Sequence, residues 1–311
     1  MTDPKLDHLA TESDRVVDIG DLDQNRNLKI RSFLGLVLTP VFRELTPRLG
    51  WTEMGRRGIT PGQYFQDFHN EPAPFGYGDR FRGRHEVRLR LSISNEAREP
   101  ATEPLPVKRL LLETRATLFA DPATGRPPAL GFAPPLGKSA EAGSGRVLHV
   151  LTRPQNPPGQ RWVDEVPEEL AFLALHSFDE PYPTIALLRE IEPDFAEIDF
   201  GGLSFPGIWS MANTDVFQHV HAREYTTAME NAVGRALAIA GLPLDRYLPT
   251  RARVIFRRPG FVGQPYRLAL KLFRRDQTLV ALGAFHGGRH GTAIPDEQRA
   301  AVFMRFEGRL A

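Results

Sequence analysis

Acidic and imidazole side chains stand close together in the stretch NTDVFQHVHAREY, from Asn213 to Tyr225. An acid four residues before a histidine, here Asp215 and His219, is a pairing that proton-transfer chemistry uses. The same residues would also suit the polar start of a buried helix, with Asn213 or Asp215 as its cap and His219 as a satisfied core histidine. The stretch alone leaves both interpretations open.

A second acid, Glu230, falls near the middle of the helix that should follow this stretch. Burying an unpaired carboxylate is unfavourable, so the side chain needs a reason to be there. One interpretation is a general base with a raised pKa, or a group that holds a water molecule. The other is a carboxylate paired with a buried arginine or histidine.

The second half of the chain has the pattern of a long helix followed by strands. From Ala222, apolar residues recur at spacings of three and four, and Gly241-Leu242-Pro243 supplies a stop signal. Four alternating or apolar runs follow: RARVIFR, YRLALKLF, TLVALGAF and AVFMRF. The short segments RPGFVGQP and Asp276-Gln277 predict hairpins, so we expect a strand, a long helix and an antiparallel meander wrapped around it.

The first half follows a similar plan at a constant offset. Asp23 precedes Asp215 by 192 residues, and Asn27 and Phe33 stand where His219 and Tyr225 stand in the second half. The runs HEVRLRLSI and PVKRLLLETRATLF predict strands further on. The matched order predicts an internal repeat. We place the first repeat at 15–128, a Pro/Gly-rich linker or surface excursion at 129–166, and the second repeat at 167–311.

Composition excludes several classes of function. The 311 residues carry a net charge of +1, which gives no field for nucleic acid, and no cysteine, which excludes thiol catalysis and cysteine-bound metal. The first residues, MTDPKLDHLATESD, lack the apolar core of a targeting peptide, and no run reaches the roughly 18 apolar residues of a membrane span. We expect a cytoplasmic protein with no membrane or nucleic-acid partner, and assembly into a homo-oligomer is left open.

The combination of an Asp-containing loop, a His-Val-His-x-x-x-Tyr helix start and a wrapping antiparallel sheet resembles the hotdog fold of acyl thioester hydrolases. In that family an Asp is often followed four residues later by His, then Val-Asn and a Tyr. Asp215, His219, Val220 and Tyr225 match, whereas Phe217 and His221 replace asparagines. The first half keeps Asp23-Gln24-Asn25 but has Asn27 in place of the His.

The resemblance implies an α+β double hotdog, two helix-wrapped antiparallel sheets forming a pseudo-dimer, that hydrolyses an acyl thioester on coenzyme A or acyl carrier protein without metal or cofactor. It implies three catalytic residues, Asp215, His219 and Glu230. It implies substrate contacts from a further six, Asn213, His221, Tyr225, Asp23, Asn25 and Asn27. A dehydratase or acyl transferase, with His219 facing Asp23, and a non-catalytic thioester-binding module are the alternatives.

The arginines on the strand faces have two interpretations. They can form the solvent side of the sheet, or they can cradle the phosphates of coenzyme A or a phosphopantetheine arm. The positions concerned are Arg88, Arg90, Arg251 and Arg253.

Overall fold

A computed structural model describes most of the chain. The described residues are 4–16, 18–23, 28–71, 79–96, 105–121, 139–157, 160–201, 204–214, 219–287 and 299–310. Asp215, Asn25 and Asn27 therefore lie outside them. No helix in these ranges has the length and apolar character needed to cross a membrane.

The first half contains two helices and five long strands. The helices are α1 (Ile30–Glu44) and the short α2 (Trp51–Arg56). The strands are β1 (Leu9–Val16), β2 (Thr60–Asn70), β3 (Arg80–Glu96), β4 (Leu105–Asp121) and β5 (Ala140–Thr152).

The second half begins with short elements and then repeats the pattern of a long helix and strands. The short elements are β6 (Leu175–Ser177), α3 (Ile185–Leu188), β7 (Ala196–Ile198) and β8 (Ser204–Ile208). The long helix α4 spans Ala222–Ile239. The strands after it are β9 (Tyr247–Phe256), β10 (Pro265–Arg275), β11 (Thr278–Gly287) and β12 (Val302–Leu310). The helix and strands predicted from periodicity in this half are confirmed.

The strands form one 12-stranded sheet in the order β1-β3-β4-β5-β2-β9-β12-β11-β10-β7, with β6 also paired to β3 and β8 to β10. One predicted neighbour relation is wrong. RPGFVGQP does not close a hairpin, because β9 pairs with β12 on one side and β2 on the other. Asp276-Gln277 does form the tight turn between β10 and β11. Because β10 does not pair with β9, one edge of β9 is available to β2, and this pairing joins the two halves.

The two halves share their strand order and the local geometry that precedes each helix. In each half, from the sheet edge to the middle, an outer strand is followed by a three-strand meander and then by the strand that comes after the helix in sequence. The helix starts, Ile30 and Ala222, are 192 residues apart. The bridges that close the preceding loops, Leu22 to Leu28 and Thr214 to Val220, show the same offset.

The predicted linker at 129–166 is wrong for residues 140–152. These residues form β5, which lies between β4 and β2 inside the sheet. Its glycines are needed because α1 lies very close to it. A Cβ added to Gly145 would stand 2.4 Å from Val37 Cγ2. A segment that looks like a linker in composition is therefore a strand whose small residues admit a helix.

The arginines of the outer sheet face are paired with carboxylates. Arg251 forms two hydrogen bonds with Asp67, at 2.9 and 2.7 Å, and Arg253 bonds Glu307 at 2.5 Å. The buried Glu113 is within 3.6 Å of Arg90. These ion pairs favour a structural role for the outer face over a phosphate cradle.

The two helices meet through a carboxylate. Oε1 of Glu230, in the middle of α4, accepts a hydrogen bond from the backbone N–H of Arg31 in the first turn of α1, at 3.2 Å. The Arg31 Nε lies 4.0 Å from the other oxygen. Burial raises the pKa of Glu230 to about 7. The contact joins residues 199 positions apart, so it holds the two halves together.

The close approach of α1 to β5 predicts the effect of a single methyl group. Gly145→Ala should lower the free energy of unfolding by about 1–3 kcal/mol, because Val37 is branched at Cβ and has little freedom to move. Gly35→Ala, on the side of α1 with no atom within 4 Å, is the control and should instead raise it by about 1 kcal/mol. Urea unfolding checks both values. Equal stability of the two variants would contradict the packing.

The raised pKa of Glu230 predicts a pH dependence of stability. Folding favours the protonated form, so the stability from this group is complete below its ordinary pKa of 4.5 and is lost as the pH rises through about 7. The melting temperature of the wild type should fall over this interval, and Glu230→Gln should reduce the fall. Glu44→Gln, at an exposed glutamate of α1, should leave it unchanged. An undiminished fall in Glu230→Gln would place the cause elsewhere.

Candidate functional site at the start of helix α4

The start of α4 is capped by a histidine. Nδ1 of His221 accepts a hydrogen bond from the backbone N–H of Arg223 at 3.3 Å, and the His221 carbonyl accepts from Glu224 at 2.8 Å. No hydrogen bond from the Ala222 N–H to another described residue is found, and residues 215–218, just before it, lie outside the described part of the chain. A helix start carries partial positive charge, so an N–H there can stabilise a developing negative charge. His221 therefore shapes the helix start as its cap.

Asn213 locks the loop that leads to this helix. Its Oδ1 accepts from the N–H and the hydroxyl of Ser210, at 2.9 and 2.8 Å, while its Nδ2 donates to Glu224 at 2.8 Å. These bonds join Asn213 to the loop and the helix, so it positions the site, and its contact with substrate stays a prediction. Sequence reasoning missed Ser210 and Glu224, although the Ser-x-x-Asn spacing is a capping signal.

His219 lies exposed at the mouth of the site. It forms an isolated bridge with Phe261, and the two rings meet edge to face with centroids 5.2 Å apart. The next residue, Val220, donates its N–H to the Gly260 carbonyl at 2.8 Å. The loop 260–261 therefore fixes the backbone on both sides of the histidine. Asp215, its predicted partner, lies outside the described residues.

Tyr225 is part of an aromatic wall behind the site. It is 3% exposed, and its hydroxyl accepts a hydrogen bond from the Gly260 N–H at 2.9 Å. Its ring packs against Trp209 and Phe285, with centroids 4.8 and 5.2 Å away. Burial raises the pKa of Tyr225 to about 12. The side chain braces the helix start, and its contact with substrate stays a prediction.

The start of α1 is equivalent in position but differs in chemistry. Here Glu230 accepts a hydrogen bond from the backbone N–H of Arg31, whereas the equivalent N–H in α4, that of Arg223, is bonded by the cap His221. Burial is the main cause that lowers the pKa of Lys29, and the charges of Glu230 and Asp23 act against it. Asp23 thus belongs with Lys29 and Glu230. Asn25 and Asn27 lie outside the described residues.

Glu230 does not belong to the same helix start as His219. It is nine residues beyond the cap His221, which is about 13 Å along the helix axis. Sequence reasoning grouped it with Asp215 because the two are close in sequence. The structure instead places it against the first turn of the other helix.

Within the described part of the chain, no group of three or more His, Asp or Glu side chains is arranged to hold a metal ion. His286 is buried near the end of β11, and His290 lies outside the described residues. The chemistry of the described site therefore rests on the helix start and its neighbouring side chains.

The sequence matches no protein-family model and no curated protein. Solved structures do match. A protein from Lactobacillus plantarum provisionally named an oleoyl thioesterase is 9% identical with a TM-score of 0.64, covering 97% of this chain and 96% of that one. An acyl-ACP thioesterase from Bacteroides thetaiotaomicron is 10% identical with a TM-score of 0.56, covering 96% of this chain and 98% of that one.

A plant protein has the same relation to the chain. The 12:0-ACP thioesterase from Umbellularia californica is 11% identical with a TM-score of 0.59, and the match covers 97% of this chain and 94% of the plant chain. At such identities the likeness establishes the fold. The predicted resemblance to acyl thioesterases is confirmed at that level: the chain has a hotdog-type thioesterase fold over nearly its full length.

Proposed function

We propose that this chain hydrolyses an acyl thioester carried on coenzyme A or on acyl carrier protein. The observation that carries the proposal is the start of α4, where the cap His221 and the exposed His219 stand beside the partial positive charge of the helix end. The solved proteins of the same fold are described as thioesterases, and two of them as acting on acyl-ACP. Fold alone does not fix activity, so the site must carry the argument.

The proposed reaction begins with the attack of water on the thioester carbonyl. Asp215 takes a proton from the water as it attacks, and the Ala222 N–H and the helix dipole stabilise the resulting oxyanion. The intermediate then collapses with cleavage of the carbon–sulfur bond. The thiolate that leaves takes up a proton, and the acyl group is released as a carboxylic acid. His219 is assigned the orientation of Asp215 or of the carbonyl.

We further propose that the architecture is a double hotdog, a pseudo-dimer within one chain. The shared strand order and the repeated 192-residue offset of helix starts and loop bridges support it. The first repeat then extends through β5, to residue 152, and the second keeps its predicted range of 167–311. Phe178 and Leu188, early in the second repeat, join a buried cluster with residues of the sheet such as Phe65 and Ile255.

The two pseudo-equivalent helix starts have different roles in this proposal. Glu230 fills the start of α1, so we assign it to the joining of the halves and remove it from the catalytic set. The charge of Asp23 acts on Lys29, beside the start of α1, and we assign Asp23 to that helix start rather than to a dehydration opposite His219. One helix start per chain remains for catalysis.

The proposal predicts unequal effects of two matched substitutions. Asp215→Asn should lower kcat by roughly 10²-fold, because a general base is removed, while KM changes less. Asp23→Asn, 192 residues earlier, is the control and should have a much smaller effect. Release of free thiol from a panel of acyl-CoA and acyl-ACP thioesters measures both.

Three outcomes would contradict this assignment. Full activity in Asp215→Asn would remove that residue from the mechanism, and equal losses in both variants would indicate a site built from both halves. Loss of one water from a 3-hydroxyacyl thioester, with the thioester intact in the mass spectrum, would indicate a dehydratase.

A further inference from the structure

A serine and a histidine are hydrogen-bonded in the first half, on two neighbouring strands. Ser13 lies on β1 and His85 on β3, and the Ser13 hydroxyl oxygen is 2.8 Å from Nε2 of His85. Nδ1 of His85 lies 3.1 Å from the carbonyl oxygen of Val37 in α1. A hydroxyl within hydrogen-bond reach of a base, with that base held by a third group, is the arrangement that activates serine as a nucleophile.

The two partners of His85 determine which of its nitrogens carries the proton. A carbonyl oxygen can only accept, so Nδ1 of His85 donates to Val37 and is protonated. Nε2 then has a free lone pair and accepts the hydrogen bond from the Ser13 hydroxyl. Burial lowers the pKa of His85, and the bond to Val37 acts against that effect. The imidazole is therefore neutral at neutral pH, in the tautomer that can take a proton from Ser13.

His85 interrupts an apolar face of β3. Phe81, Val87 and Leu89, which lie on the same face of the strand, all belong to the hydrophobic core. The histidine is 1% exposed. Removing an imidazole from water costs free energy that an apolar side chain would not cost. Packing alone therefore does not explain a histidine at this position.

Gly83 leaves the space that the pair occupies. It lies opposite Ser13 in the pairing of β1 with β3. A Cβ added to Gly83 would stand 2.4 Å from Nε2 of His85 and 2.6 Å from Oγ of Ser13. Ser13 is half-buried, and β1 is the outermost strand at its end of the sheet. The base is thus shielded from water while the nucleophile is partly open to it.

We propose that Ser13 and His85 form a second nucleophilic site, in which Ser13 takes an acyl group from an activated ester. The pair shares no residue with the start of α4, so the site stands apart from the proposed hydrolase function. Oγ of Ser13 bonds to the acyl carbon while Nε2 of His85 takes the hydroxyl proton, and the bond from the acyl carbon to the leaving oxygen breaks. The leaving oxygen then takes the proton from His85. The products are an ester of Ser13 and a free alcohol.

The test treats the full chain with p-nitrophenyl acetate and follows the acetylation of each serine by peptide mass spectrometry. In the wild type, Ser13 should react about 10²-fold or more faster than Ser177, an exposed serine of β6, because a positioned general base accelerates the attack by that amount. His85→Gln should lower the rate at Ser13 to that of Ser177. His149→Gln, at a buried histidine of β5, is the matched control and should leave the rate at Ser13 unchanged.

The proposal is overturned if Ser13 reacts no faster than Ser177, or if His85→Gln keeps the wild-type rate at Ser13. The comparison of the two serines needs the wild type alone, so it decides even if His85→Gln does not fold. Gly83→Ala then replaces that variant, because its methyl group would collide with the pair, and an undiminished rate there also overturns the proposal. Asp215→Asn should keep the rate at Ser13, which separates failure of this site from failure of the proposed hydrolase.

Discussion

The pairing of β2 with β9 is the interaction on which the rest of the structure depends. Phe65 to His69 pair with Ile255 to Arg251, and this ladder makes one sheet of two six-strand arrays. The two hydrogen bonds between Asp67 and Arg251 strengthen this strand pairing where the two halves join. The ladder closes the edge that each array would otherwise leave open, and it brings both long helices to the same region.

That arrangement makes each helix start a neighbour of the other helix. Ile30 packs in the cluster formed around α4, and Ala222 packs against the cluster formed around α1. The residues at one repeated position differ in chemistry. Glu230 on α4 accepts the Arg31 N–H at the start of α1, whereas its counterpart on α1, Leu38, is apolar and cannot accept a hydrogen bond. The two halves share a framework while their chemistry differs.

Sequence periodicity predicted the helices and strands whose pattern of buried and exposed residues is visible within a short stretch of sequence. The spacing of apolar residues in α4 and the alternation in the strands of the second half predicted these elements correctly. The 192-residue offset between Asp23 and Asp215 also separates the two helix starts and the two loop bridges. The failures have long-range causes. Gly143 and Gly145 look like linker residues because their small size is explained only by α1 packing on β5. The partner of Glu230 is 199 residues away, and no local pattern could reveal it.

We propose that a twofold framework carries one acyl-thioester site per chain. Calorimetric titration of the full chain with a non-hydrolysable thioether analogue of an acyl-CoA tests this proposal. We expect a stoichiometry of one analogue per chain, lost when a bulky residue replaces Ala222 and kept when one replaces Ile30, provided that both variants remain folded. Two analogues bound per chain, or binding that depends on Ile30 alone, would contradict it.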